Sequence, residues 1–169
     1  MATQKLCLTA IGTALFVVLS LCLQVPFFEN YYLCLGYVAL MVFCFYFGPF
    51  CSAVVGTMGV VLYCLLINGL RGMPGWAAGN LVIALSVSIA CRLTAGLKKH
   101  WVRLFILLAV IVAATAAGIL GIKSLIEMLL YAQPFFLRAS KNVYAFVADI
   151  VVMTVSIPVC EKLKSIINR

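Results

Sequence analysis

Charged side chains are scarce in this chain of 169 residues: 9% are Asp, Glu, Lys or Arg, against roughly 25% in an ordinary soluble domain. The acids number four, Glu29, Glu127, Asp149 and Glu161, and His100 is the only histidine. Carboxylates so few and so separated make neither a dyad nor a nucleophile triad, so the chain is expected not to be an enzyme. It has no Gly-rich phosphate loop of the Walker type and is not expected to hydrolyse ATP itself. Eight cysteines, Cys7, Cys22, Cys34, Cys44, Cys51, Cys64, Cys91 and Cys160, stand singly with no CxxC pair. Neither a metal centre nor a disulfide framework is expected from that spacing, and no cofactor is implied.

What is present is apolar. Hydrophobic residues make up 66% of the chain, too many for so small a soluble core to hide, so lipid must be the outer solvent. The formal charge of +8 does not signal nucleic acid, because the cations sit at the ends of apolar runs rather than on one basic face. That placement fits the Lys and Arg bias of cytoplasmic loops.

Six apolar runs are separated by breaks, predicting an all-α bundle of six transmembrane helices in a single domain, 1–169. The first, 6–25, is long for a signal-peptide core of about 7–15 residues and lacks an Ala-x-Ala site, so it is expected to stay as a helix. A polar and aromatic turn, 26–32, precedes a short run, 33–47. Gly48-Pro49 breaks it before the run 50–67. The Gly- and Pro-rich stretch 68–75 opens a fourth helix, 75–95. A fifth run, 104–122, leads to Lys123, Glu127 and a second aromatic turn, 131–136, before the last run, 142–160. With both termini cytoplasmic, Lys5, Arg92, Lys98, Lys99, Arg103, Lys162, Lys164 and Arg169 lie inside, and Arg71, Lys123, Arg138 and Lys141 outside. The excess favours that orientation.

Polar residues gather toward the outer side, where 26–32, 68–76 and 131–144 resemble a lid. On the last helix Lys141, Asn142, Ala145 and Asp149 recur at helical spacing, which predicts one shared polar face. Asp149 then lies roughly 18 Å from the inner boundary at Glu161, in a core about 30 Å thick. Lipid exposure at that depth costs at least ~2.5 kcal/mol, so the face is expected to turn inward. Trp76, Asn80, Ala84 and Ser88 form a matching face on the fourth helix. The two faces are expected to enclose a pocket or to serve as ordinary interhelical hydrogen bonding. Tyr31, Tyr32, Trp76 and Tyr144 suit a flat heterocycle, and Arg71, Arg138 and Lys141 an anionic group. The same residues also suit an interfacial belt against lipid headgroups. Ala113, Ala117 and Gly121 predict a close contact on helix five, and Ala10 and Ala14 another on helix one.

Size, six spans, AxxxA at Ala10 and Ala14, Phe47-Gly48-Pro49 before a small-residue helix, and Lys141-Asn142 opening the last helix together resemble the S component of an energy-coupling-factor vitamin transporter. The resemblance covers nearly the whole chain. It implies a subunit that captures a vitamin or related micronutrient outside, with a pocket at the outer ends of helices four to six. It further implies docking through helix one onto a transmembrane coupling subunit, and inward delivery powered by two partner ATPases, with the small subunit toppling in the bilayer. The pocket residues so implied are Tyr32, Arg71, Trp76, Asn80, Arg138, Lys141, Asn142, Tyr144 and Asp149. A structural or assembly subunit of another membrane complex is the competing expectation.

Overall fold

The computed structural model describes residues 2–22, 25–28, 31–67, 69–97 and 99–167, and only the backbone of 2, 25–28, 31–32 and 164–167. Among the described residues there are six helices: α1 Ala2–Cys22, α2 Gly36–Tyr46, α3 Pro49–Leu66, α4 Met73–Thr94, α5 His100–Tyr131 and α6 Phe135–Ile167. All but α2 are long and apolar enough to cross a membrane. The expected six-helix all-α bundle is therefore present. One addition among the described residues is an antiparallel hairpin between α1 and α2, β1 Val25–Phe28 and β2 Tyr31–Leu33, with Val25 opposite Leu33 and Pro26 opposite Tyr32.

Breaks occur where the backbone chemistry demands them. Gly48 takes φ 85°, a conformation that favours glycine, and Pro49 starts α3 where a missing N–H costs nothing. The Arg92 guanidinium lies against Gly48 and fills the space that a Cβ would need. Pro74 similarly opens α4, and left-handed Ala132 ends α5. The up-and-down order puts the hairpin, residues 69–72 and the 132–134 turn at one end of the bundle, the hairpin end. The start of α1, the end of α6, Gly48 and residues 95–97 lie at the other, the terminal end. Between them Phe16, Tyr37, Leu40, Met41, Ile83, Ile111 and Met153 form a core with essentially no exposure.

Helices α5 and α6 depart from the sequence expectation. Helix α5 does not stop at 122 but runs through Lys123 and Glu127 to Tyr131, and α6 starts at Phe135 rather than 142. Glu127 is buried with polar partners from α6, which removes the reason for a charged residue to end a membrane helix. Likewise Met73 and Pro74, expected in the turn before Gly75, belong to the first turn of α4.

Residues Ala116–Lys123 of α5 are wound as a π-helix. This wider winding makes the step between inward positions five residues, from Ile119 to Ser124, both fully buried. The next inward position is Glu127, while Leu129 is 72% exposed. The expected Ala113–Ala117–Gly121 contact ridge is not found, because Ala113 and Ala117 face outward. The close contact instead uses Gly118 and Gly79 of α4: a Cβ on either would come within 2.7 Å of the other's carbonyl oxygen.

Candidate functional site

At the hairpin end five helices contribute polar side chains to one buried cluster. Its first half is centred on Tyr37 of α2, whose hydroxyl donates to Asn80 Oδ1 at 2.7 Å and accepts from Trp76 Nε1 at 3.1 Å. Asn80, fully buried, donates from Nδ2 to the Gly56 carbonyl at 3.3 Å, tying α4 to α3. Tyr63 of α3 meets the Trp76 ring edge-on at 5.6 Å. Lys123 Nζ lies 5.9 Å from the centroid of the same ring, close enough for a cation–π interaction. Asp149 of α6, buried, lies near enough to Tyr37 and Lys123 to interact electrostatically with both. The lysine and the carboxylate balance one another where either alone would be costly. Beside them, burial and then the Asp149 charge push the Cys34 thiol up to about 12, so it stays protonated.

The second half joins α5 and α6. Asn142 Nδ2 donates to Ser124 Oγ at 2.9 Å and to Glu127 Oε2 at 3.4 Å. Both N–H groups are thereby used, and the Asn142 carbonyl oxygen is left to accept. Arg138 Nε lies 4.0 Å from Glu127 Oε2 and is buried without a hydrogen-bond partner among the described residues. The cluster thus presents an amide acceptor and a guanidinium donor beside an aromatic wall, with two cations and two carboxylates. This is recognition chemistry, and among the described residues no His, Cys, Asp and Glu group is arranged to hold a metal ion. Over the cluster the Tyr131 hydroxyl donates to the Arg71 carbonyl while the Arg71 guanidinium stacks 4.8 Å from the Tyr131 ring.

Residues 1–164 match the sequence profile of the family described as ECF-type riboflavin transporter, S component. The chain belongs to this family. Among curated proteins no match was found. Proteins of this family are transporter subunits and not enzymes, which agrees with the absence of a reactive cluster in the sequence.

In this S component the residues singled out from sequence divide into three groups. Trp76, Asn80, Arg138, Asn142 and Asp149 are brought together in the cluster. Lys141 and Tyr144 are exposed on the outside of α6, so the inward face is Arg138, Asn142, Ala145 and Asp149 and does not include Lys141. Arg71 is exposed and engages Tyr131. The side chains of Tyr31, Tyr32 and Lys164, together with Glu29, Asn68, Lys98 and Arg169, lie outside the described residues. Helices α4 and α6 barely touch. Tyr37 and the π-helical part of α5 stand between them, so the space does not lie between helices four and six alone. Ala84 and Ser88 pack against α2 and α3, where Ser88 Oγ donates to the Cys44 carbonyl at 3.3 Å.

Sequence reasoning left out Tyr37, Tyr63, Lys123, Ser124 and Glu127. Lys123 and Glu127 carried a signal, an opposite-charge pair four residues apart at the edge of an apolar run. The two tyrosines carried none that distinguished them from core aromatics.

Proposed function

We propose that the S component binds riboflavin in the hairpin-end cluster and hands it to an energised membrane complex. The observation that carries this reading is the convergence of Trp76, Tyr37, Asn80, Asn142 and Arg138, aromatic faces and amides on a membrane-embedded scaffold, in a chain of this family. A flavin ring offers a flat face for stacking and an edge with both donors and acceptors, for which paired amides are the natural complement. The balanced charges of Lys123, Arg138, Glu127 and Asp149 favour an uncharged ligand over an anion. The proposed orientation has the hairpin end outside and both termini cytoplasmic, in keeping with the cations at the terminal end.

Purified protein titrated with riboflavin is expected to quench the flavin fluorescence saturably, with one flavin bound per chain. An absence of quenching, together with no flavin in the extract of purified protein, would support the alternative of a structural subunit.

Delivery requires partners, which we infer to be a transmembrane coupling subunit and two ATPase subunits. The surface that fits them is α1, where Ala10 and Ala14 are exposed, one turn apart, beside exposed Ile11, Leu15 and Val18. Small residues at such spacing let a partner helix approach closely. Ala14→Trp is therefore expected to lower riboflavin uptake into cells roughly ten-fold or more while leaving the affinity of the purified protein unchanged. Normal uptake by this variant removes α1 as the docking surface.

A further inference from the structure

The terminal end carries a second feature that vitamin binding does not use. Between α5 and α6 a groove of about 290 Å³ is lined by His100, Leu104, Leu108, Ile157, Pro158 and Glu161. It shares Leu104 and Leu108 with an adjoining hollow of about 500 Å³ walled by Trp101, Val102 and Phe105. From His100 to Leu108 the trough follows α5 for about 12 Å. Pro158 stands within α6 and has no N–H to give to the Thr154 carbonyl, which opens the helix flank at this level.

The trough is mostly apolar, with Thr154 on its wall, and is charged only at its mouth. There His100 Nδ1 lies 3.7 Å from Glu161 Oε1. Lys99 precedes this histidine and Lys162 follows this glutamate, so the mouth carries more positive than negative charge. Arg103, the next cation along α5, is held over the Phe45 ring at 5.7 Å. We propose that this trough binds one anionic phospholipid, its acyl chain lying along Leu104, Leu108 and Ile157 and its phosphate at Lys99, His100 and Lys162.

Three observations favour a lipid over a partner helix or a second copy of the chain. The trough opens sideways from spans whose medium is hydrocarbon. It is bounded by Trp101 and Phe105, 80% and 75% exposed, whereas a helix contact calls for small residues. Its single charged end matches an amphiphile whose anionic head stands at the membrane surface.

Native mass spectrometry of the full chain, exposed to equal amounts of phosphatidylglycerol and phosphatidylcholine, tests the proposal. The wild type is expected to retain one lipid and to prefer phosphatidylglycerol. Lys99→Glu, at an exposed position that does not endanger folding, should reduce that preference at least about five-fold, the weight of one cation near an anionic headgroup. Leu108→Trp, which fills the trough, should release the lipid. Cys7→Trp, in a separate groove on α1, should change nothing. Equal retention of the two lipids by the wild type, or an unchanged preference in Lys99→Glu, overturns the proposal. Displacement of the lipid by excess glycerol phosphate also overturns it, because a headgroup site alone would then account for the binding.

Discussion

Asn80→Leu is expected to lower riboflavin affinity at least ten-fold and to cost the fold about 2–4 kcal/mol, since two buried groups lose a partner at ~1–3 kcal/mol each. The side chain is fully buried, and Leu has nearly its volume, so the effect comes from polarity and not from a cavity. Its Oδ1 accepts the Tyr37 hydroxyl and its Nδ2 donates to the Gly56 carbonyl. With Leu in place that carbonyl is unpaired. The Tyr37 hydroxyl likewise loses its acceptor, and with it the orientation it gives the Trp76 indole hydrogen-bonded to the same hydroxyl. Calorimetric titration and thermal unfolding measure the two effects separately. Ser88→Ala, two turns further along the same buried face, removes a hydrogen bond to the Cys44 carbonyl outside the cluster. It is expected to leave affinity unchanged and to cost about 1 kcal/mol. Wild-type affinity in Asn80→Leu would mean that the amide only joins helices and that the ligand sits elsewhere.

Gly118→Val is the substitution expected to damage the scaffold most. The Gly118 and Gly79 backbones are in contact, and any Cβ at 118 lands 2.7 Å from the Gly79 carbonyl oxygen and 3.0 Å from Ile83 Cγ1. Backbone cannot yield as a side-chain tip does, so α4 and α5 must separate. A loss of about 3 kcal/mol follows, read as a lower thermal midpoint. Ligand binding should fall with it, because the same segment of α5 places Lys123, Ser124 and Glu127. Ala117→Val, the neighbouring outward-facing position, is the control and should be neutral. If both valines are equally tolerated, the glycine contact is not what sets the distance between these helices.

The two results bear on how much of the molecule is legible without coordinates. Hydropathy together with the Gly and Pro breaks separated the six helices, because an apolar run in lipid must satisfy its backbone internally and has only the helix with which to do so. The same argument turned Asp149, Asn142 and Asn80 inward, since each is costly against hydrocarbon. Arg138 joins that face four residues before Asn142 only because α6 begins at Phe135 and not at 142. Lys141 shows the limit of such counting. It lies one residue from Asn142, and whether a face is widened to include it depends on where the neighbouring helices stand.

What the sequence by itself determined is thus the medium, the number of helices, the absence of a reactive centre and the end of the bundle at which polar groups collect. Tertiary structure alone decided which of them meet. Lys123 and Glu127 mark the end of a span when read by hydropathy, yet the π-helical winding before them carries Ser124 and Glu127 into the interior to meet Asn142 and Arg138. Tyr37 and Tyr63 look like any core aromatic until Asn80, Trp76 and Asp149 arrive from other helices. The physical reason is that burial penalties are local and can be read residue by residue. Hydrogen-bond partners instead come from residues tens of positions away in the chain, and only the packed helices bring them within reach.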